Sequence, residues 1–314
     1  MFRYIIRRLI AIIPILFVVG TIVFLLIQLM PGNPARQILG ADATQEEVEK
    51  LEVDLGLDEP LPIYYVKWLG NLLKGDMGES IYTGDKVLSD IISHIGPTLS
   101  ISLLALSITL LIALPIGILA VRKRDSWLDP TFMSLSLLGV SIPEFWFALL
   151  LILGFSVTIP IFPTAGYVPI TEDVASWLHY IILPAIVLAM IEVGLIARML
   201  RDGMLEGVNQ DYTKTARSKG LKEGSILVKH VFPNALIPTT TVIGVSVAGL
   251  LGGTVIVETI FTIPGIGHLL IDSIHRRDFP VVQGSILFIS TVYVLVNLLI
   301  DIVYALLDPR IKYD

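Results

Sequence analysis

Cysteine is absent from the 314 residues. That excludes a disulfide framework, thiolate-ligated zinc or iron–sulfur centres, and a thiol nucleophile. Charge is scarce as well: Asp, Glu, Lys and Arg make up 16% of the chain, against 54% hydrophobic residues. A water-soluble domain carries about a quarter of its residues as charges. The surplus apolar surface must face another solvent, and long apolar runs identify it as lipid. Catalytic signatures are missing too. The sequence has no G-x-x-x-x-G-K-[ST] loop to cradle phosphates, no H-E-x-x-H helix and no G-x-S-x-G elbow. The five histidines are dispersed. His268 and His275 are near one another but lack a third ligand, so a solvated or interface role is expected of both rather than a metal site. No basic stripe with interleaved aromatics supports nucleic-acid binding. The chain is therefore expected not to be an enzyme, and to carry no cofactor or metal of its own.

What is present is six apolar runs, at 9–30, 97–121, 131–158, 177–200, 234–257 and 281–307. Each meets the roughly 20 residues that a helical span requires. The runs are continuous rather than alternating, which favours helices over a barrel. The first is too long for a signal-peptide core and has no small-x-small cleavage site after it, so it is expected to be a retained helix. With the N-terminus inside, 15 Lys and Arg fall in the segments 1–8, 122–130, 198–233 and 308–314, and 7 in 31–96, 159–176 and 258–280. That bias places both termini in the cytoplasm. The fold class is thus an all-α integral membrane protein with six transmembrane helices. Its parts are a stub and first helix over 1–30, an outer segment over 31–96, a five-helix core over 97–307 with a cytoplasmic loop at 201–233, and a tail over 308–314.

The outer segment carries 12 Asp and Glu against 5 Lys and Arg. Thr44-Gln-Glu-Glu47 reads as a capping box, and Val48, Leu51 and Leu55 follow at helical spacing. Pro62 suits the first turn of a second helix carrying Val66, Leu69 and Leu73. The turn Lys74-Gly-Asp-Met-Gly78 ends it. A small helical platform on the outer face is expected.

Three carboxylates lie within spans: Glu144, Glu192 and Asp301. Each costs about 2.5–3.5 kcal/mol at the bilayer centre unless it faces protein or water. Asn297 is one turn before Asp301, so the two share a helix face. A polar contact along a translocation path and a hydrogen-bonded helix pair both fit them, the pair more readily for Asn297 and Asp301. Glu144 follows Pro143, which kinks the helix, and suits either a gate or a structural role. Glu192 is left undetermined. Gly249, Gly252 and Gly253, with Ala248, form small-xxx-small pairs in the fifth run, which permit close helix approach.

The loop over 201–233 is polar and helical in propensity, with a break at Gly220 where a positive φ would suit glycine. A solvated connector is its simplest reading. Its spacing, however, resembles the EAA signature of ABC importer permeases, E-A-A, three residues, Gly, nine residues, I-x-L-P. Here the positions are Lys214-Thr215-Ala216, Gly220, His230, Phe232 and Pro233. Lys214, Thr215 and His230 depart from the general pattern. The core Thr215-Ala-Arg-Ser-Lys-Gly220 is similar to that of the peptide/nickel branch. Further segments resemble the same family in order: Arg3-Tyr-Ile-Ile-Arg-Arg8, Met30-Pro-Gly-Asn-Pro34, Leu55-Gly-Leu-Asp-Glu-Pro-Leu61, Gly75-Asp-Met-Gly-Glu-Ser80, Gly139-Val-Ser-Ile-Pro-Glu-Phe-Trp146, Ile260-Phe-Thr-Ile-Pro-Gly-Ile-Gly267, Asp278-Phe-Pro-Val-Val-Gln283 and Asp308-Pro-Arg-Ile311.

The resemblance implies a type I ABC importer permease fold in a bacterial or archaeal cytoplasmic membrane. It implies as partners a second, related permease, two ATPase subunits that bind ATP and magnesium, and an outer solute-binding protein. The cargo it implies is di- or oligopeptides, with nickel, glutathione or oligosaccharides as alternatives. An ion-coupled secondary transporter is the alternative of another class; the inverted repeats and broken helices typical of that class are not seen. Docking on the ATPase is expected of Tyr212, Thr215, Ala216, Arg217, Lys219, Gly220 and Leu221, with Tyr212, Ala216 and Leu221 giving the apolar contact. The translocation path is expected to involve Glu144, Gly249, Gly252, Gly253, Asn297 and Asp301.

Overall fold

The computed structural model describes residues 2–28, 36, 39–40, 43–54, 60–124 and 126–307. The predicted tail over 308–314 and the Met30–Pro34 motif lie outside the described residues, as does all of the Leu55–Leu61 motif but its last two positions. Among the described residues the chain is helical, with one isolated bridge between Glu79 and Lys86.

Helix α1 covers Phe2–Gln28. Outside it come α2, Gln45–Asp54, and α3, Leu61–Leu73. The capping box forms: the Thr44 N–H donates to Glu47 Oε2 at 2.9 Å, and the Glu47 N–H donates to Thr44 Oγ1 at 3.4 Å. The Thr44 N–H and the Thr44 hydroxyl, which donates to Glu47 Oε2 at 2.8 Å, hold the exposed Glu47 carboxyl below its ordinary range. Pro62 stands in the first turn of α3, as expected. Then follow α4, Val87–Arg122, α5, Leu128–Ser141, and α6, Glu144–Ile152, which continues into a wider π turn over Leu153–Thr158.

Helix α7 covers Val174–Val208, α8 Asp211–Ser218, α9 Glu223–Ile226 and α10 Phe232–Ile260. The last two are α11, Ile266–Arg276, and α12, Phe279–Leu307. Among the described residues, four stretches are helical, long and apolar enough to cross a membrane: Val87–Arg122, Val174–Val208, Glu223–Leu250 and Phe279–Ile302. Two shorter apolar stretches, Ile10–Leu25 and Glu144–Thr158, correspond to the first and third predicted runs.

The third run departs from a single helix. It breaks between Ser141 and Glu144, where Pro143 takes an extended conformation with ψ of 132°. Proline offers no N–H to the preceding turn and pushes the residue before it out of the helical region, so the chain restarts at Glu144. Helix α4 starts ten residues before the apolar run at 97, because Val87 and Ile91 bury themselves against Val281 of α12.

Helix α7 lies at the centre and packs chiefly on α4 and α10. The main core joins Ile101 and Ala105 of α4, Ile181 and Leu188 of α7, and Leu250 and Val257 of α10. Backbones approach closely where glycine omits a side chain. A Cβ on Gly194 of α7 would lie 2.5 Å from the Ser136 carbonyl of α5. Near the C-terminal end of α7, Arg201 donates two bonds of 2.6 Å to the Asp129 carboxylate of α5. Just before α12, Asp278 accepts from the Ser80 hydroxyl and from the Ile81 N–H, while Arg276 stacks 4.6 Å from the centre of the Tyr82 ring. These contacts clamp the end of the outer segment to the start of α12.

Candidate functional site

The loop that carries the signature spacing is built around α8. Thr213 donates its hydroxyl to the Gly207 carbonyl at 2.8 Å. One turn on, Ala216 is buried with Leu200, Met204, Val208 and Val231. Thr213 and Ala216 therefore form the inward face of a two-turn helix. Helical spacing leaves Tyr212, Thr215, Arg217 and Lys219 exposed. Gly207 lies close beneath Tyr212, since a Cβ there would be 2.9 Å from the tyrosine oxygen.

The helix ends on Gly220, whose φ is +78°. The Gly220 N–H donates to the Arg217 carbonyl at 2.9 Å and the Leu221 N–H to the Ala216 carbonyl at 3.3 Å. That pair of bonds is a Schellman stop, which requires the left-handed residue that glycine supplies. Beyond the turn, Arg217 donates to Glu223 at 2.6 and 3.3 Å, and the guanidinium holds the Glu223 carboxyl below its ordinary range. Lys214 likewise lowers Asp211, which it contacts at 2.9 Å.

Ala216 is 6% exposed, and its methyl group packs against the chain's own helices. Tyr212, Thr215, Arg217, Lys219, Gly220 and Leu221 are exposed together on α8 and the turn that ends it.

The intramembrane candidates divide between two sides of α10. Gly249 and Gly252 line a groove of about 690 Å³ with Asn297 and Asp301 of α12 and with Ile15 of α1. Glu144 and Gly253 meet elsewhere: a Cβ on Gly253 would stand 3.1 Å from Glu144 Oε1. Glu192 joins them from α7, one helical turn away, with Oε1 3.5 Å from the Cβ position of Gly249. It also bonds the Ser246 side chain, and it repels Glu144 electrostatically. The candidates, with Glu192, thus form a mostly apolar groove and, apart from it, a pair of carboxylates packed on bare glycine backbone.

One buried carboxylate was not singled out from sequence. Glu258, at the outer end of α10, is fully buried. It accepts from the Thr98 hydroxyl at 2.6 Å and from the His268 N–H at 3.1 Å, and Thr98 in turn accepts the Ile266 N–H at 2.9 Å. The carboxylate therefore satisfies first-turn donors of α11. It crowds the position a Cβ would take on Gly265, while on Gly267 a Cβ would stand 2.5 Å from Val255 Cα and 2.9 Å from the carboxylate. The signal for it was Gly265-Ile-Gly267 following a glutamate at a helix end. His268 and His275 do not join a cluster of three or more His, Asp or Glu that could hold a metal among the described residues.

Comparison with known proteins adds to this geometry. Residues 113–313 match the family described as binding-protein-dependent transport system inner membrane component, and residues 1–102 match the corresponding N-terminal family. A peptide transport system permease protein of Brucella abortus (strain 2308) is 46% identical over 310 residues, covering 99% of each chain. The dipeptide transport system permease protein DppB of Alkalihalophilus pseudofirmus is 37% identical over 333 residues, covering 100% of each. Among solved structures, a chain of the MetNI methionine ABC transporter in an inward-facing conformation aligns with a TM-score of 0.59 at 17% identity, covering 70% of this chain and 97% of that one. The likeness in structure is one of fold.

Proposed function

This chain belongs to the binding-protein-dependent transport system inner membrane component family, and from that premise we propose that it is the peptide-translocating permease subunit of an ATP-driven importer. It is a multi-pass inner-membrane protein. A solute-binding protein delivers di- or oligopeptides to its outer face, a related permease completes the pathway, and two ATPase subunits supply the energy. The observation that carries this reading is the agreement of the family match over nearly the whole chain with the seated, exposed α8.

Coupling runs through α8. Its exposed side chains dock on an ATPase subunit, while Thr213 and Ala216 fix the helix to the end of α7 and to Val231 just before α10. Movement of the ATPase thus reaches the spans without a flexible linker between. The groove of Gly249, Gly252, Asn297 and Asp301 lines the pathway, and each ATP state favours a different arrangement of the helices around it. ATP and magnesium belong to the partner subunits.

The test is reconstitution of the full complex in vesicles, with uptake of labelled dipeptides measured with and without internal ATP. Uptake that requires both ATP and the binding protein is expected. Uptake that persists after ATP depletion and follows an ion gradient would favour a secondary transporter. Uptake of nickel, glutathione or an oligosaccharide in place of peptides would keep the machinery and change the cargo.

A further inference from the structure

Helix α3 packs against α1 through its aromatic residues. Its Tyr64, Tyr65 and Trp68 rings gather around Phe24 of α1 with centroid separations of 5.4, 5.1 and 5.2 Å. The Tyr65 hydroxyl bonds Thr21 Oγ1 at 2.7 Å, and Trp68 lies 3.5 Å from the Cβ position of Gly20. Phe24, Thr21 and Gly20 all belong to α1, and α12 gives their depth. Leu287 also lies 3.5 Å from the Gly20 Cβ position, and it is eight residues inside the helix start at Phe279, about 12 Å at 1.5 Å per residue.

The rest of α3 fits that depth. Val66 and Leu73 are 67% and 82% exposed, and Ile63 is exposed beside them. They share one face, turned away from α1. About a quarter turn further round, Lys67 and Asn71 form a polar edge that ends at Lys74. The exposed apolar face continues the exposed apolar surface of α1, which includes Val18, Ile22 and Leu25. At 13 residues α3 is about 20 Å long, too short to cross the bilayer.

We propose that α3 is a membrane-interface helix, set into the outer leaflet with Val66 and Leu73 against lipid acyl chains and its Lys67–Lys74 edge at the headgroups. Three faces then meet three environments: aromatic on α1, apolar on lipid, polar at the surface. The proposal rests on the membrane-spanning reading of α1 and α12.

The experiment uses the absence of native cysteine. Single cysteines replace Val66, Leu73, Lys67, Asn71 and, as a reference within a span, Leu103. Each is spin-labelled in the assembled transporter, in vesicles of phosphatidylethanolamine and phosphatidylglycerol. Relaxation by oxygen, which partitions into lipid, is compared with relaxation by a water-soluble nickel chelate. The expected result is an oxygen-to-nickel ratio at 66 and 73 like that at 103, and several-fold above that at 67 and 71. Equal nickel access at all four α3 positions would put the helix in water and overturn the proposal. Protection of 66 and 73 from both reagents would also overturn it, since a protein partner would then cover the face. Nickel access at 103 itself would instead refute the spanning reading beneath it.

Discussion

Replacement of Ala216 by tryptophan isolates the role of the α8 seat. The side chain is 6% exposed and shares its cluster with Leu200, Met204, Val208 and Val231. Two contacts hold the inward face. The Thr213–Gly207 hydrogen bond contributes about 0.5–1.5 kcal/mol net, and burial of the Ala216 methyl about 0.8 kcal/mol. Together they hold α8 down by about 2 kcal/mol. Forcing a much larger side chain into a packed site typically costs about 1–3 kcal/mol or more. The cost therefore matches or exceeds the seat, and the helix should lift off α7. Every 1.4 kcal/mol reduces the seated fraction about tenfold. Ala216→Trp should insert normally, because the spans are untouched, yet lose ligand-stimulated ATP hydrolysis in vesicles or lose the ATPase on purification. Thr213→Val removes only the hydrogen bond and should reduce stimulation several-fold. An Ala216→Trp complex that assembles and stimulates like the parent would refute both the inward seat and the coupling role.

Gly220→Val forces a β-branched residue to a φ of +78°, a strain of about 1–3 kcal/mol; membrane insertion should persist while stimulated hydrolysis falls, and unchanged stimulation would show the turn to be dispensable. Glu258→Ala leaves the Thr98 hydroxyl and the His268 N–H without their acceptor, at about 1–3 kcal/mol for each buried group; thermal unfolding in detergent should start at a clearly lower temperature, and an unchanged midpoint would deny the carboxylate its structural role. Asp301→Asn should give more assembled complex than Asp301→Leu, because an amide still hydrogen-bonds inside the membrane; equal yields would remove that role. The Arg217–Glu223 contact has a pH signature. The guanidinium lowers the Glu223 pKa, so the stabilisation is present above the ordinary glutamate range near about pH 4.3 and is lost as pH falls through the lower folded value. Amide exchange over 217–224, corrected for its intrinsic rate, should quicken only in that acidic window, and Glu223→Gln should abolish the step.

Long apolar runs, the capping box at Thr44 and the stop at Gly220 were legible because each depends on residues within a turn or two of one another. Pro143 announced a kink, and the structure carries it to a full break, with Pro143 extended at a ψ of 132° and the helix restarting at Glu144. The direction of Ala216 was not legible. An alanine suits a docking face and a packed seat equally, and the choice is made by Thr213 reaching back to Gly207 across the helix turn. Glu258 was missed for a similar reason: its partners Thr98 and His268 come from different helices, one of them 160 residues away. Glu192 read as ambiguous because its neighbours, Glu144 and the glycines of α10, are set by tertiary contact. Helix α3 was visible as a helix from Pro62 onward, but its depth depends on where its aromatic rings meet α1.

The clamp at Asp278 also bears on how the chain is made. Ser80 and Asp278 are 198 residues apart. At translation rates of about 5–20 residues per second, the carboxylate that accepts the Ser80 hydroxyl emerges about 10–40 s later. Throughout that interval the segment around Ser80 is without the partner that fixes it. Its closure therefore waits for the start of α12 to be made, and one of the first parts of the chain to be synthesised is among the last to lock.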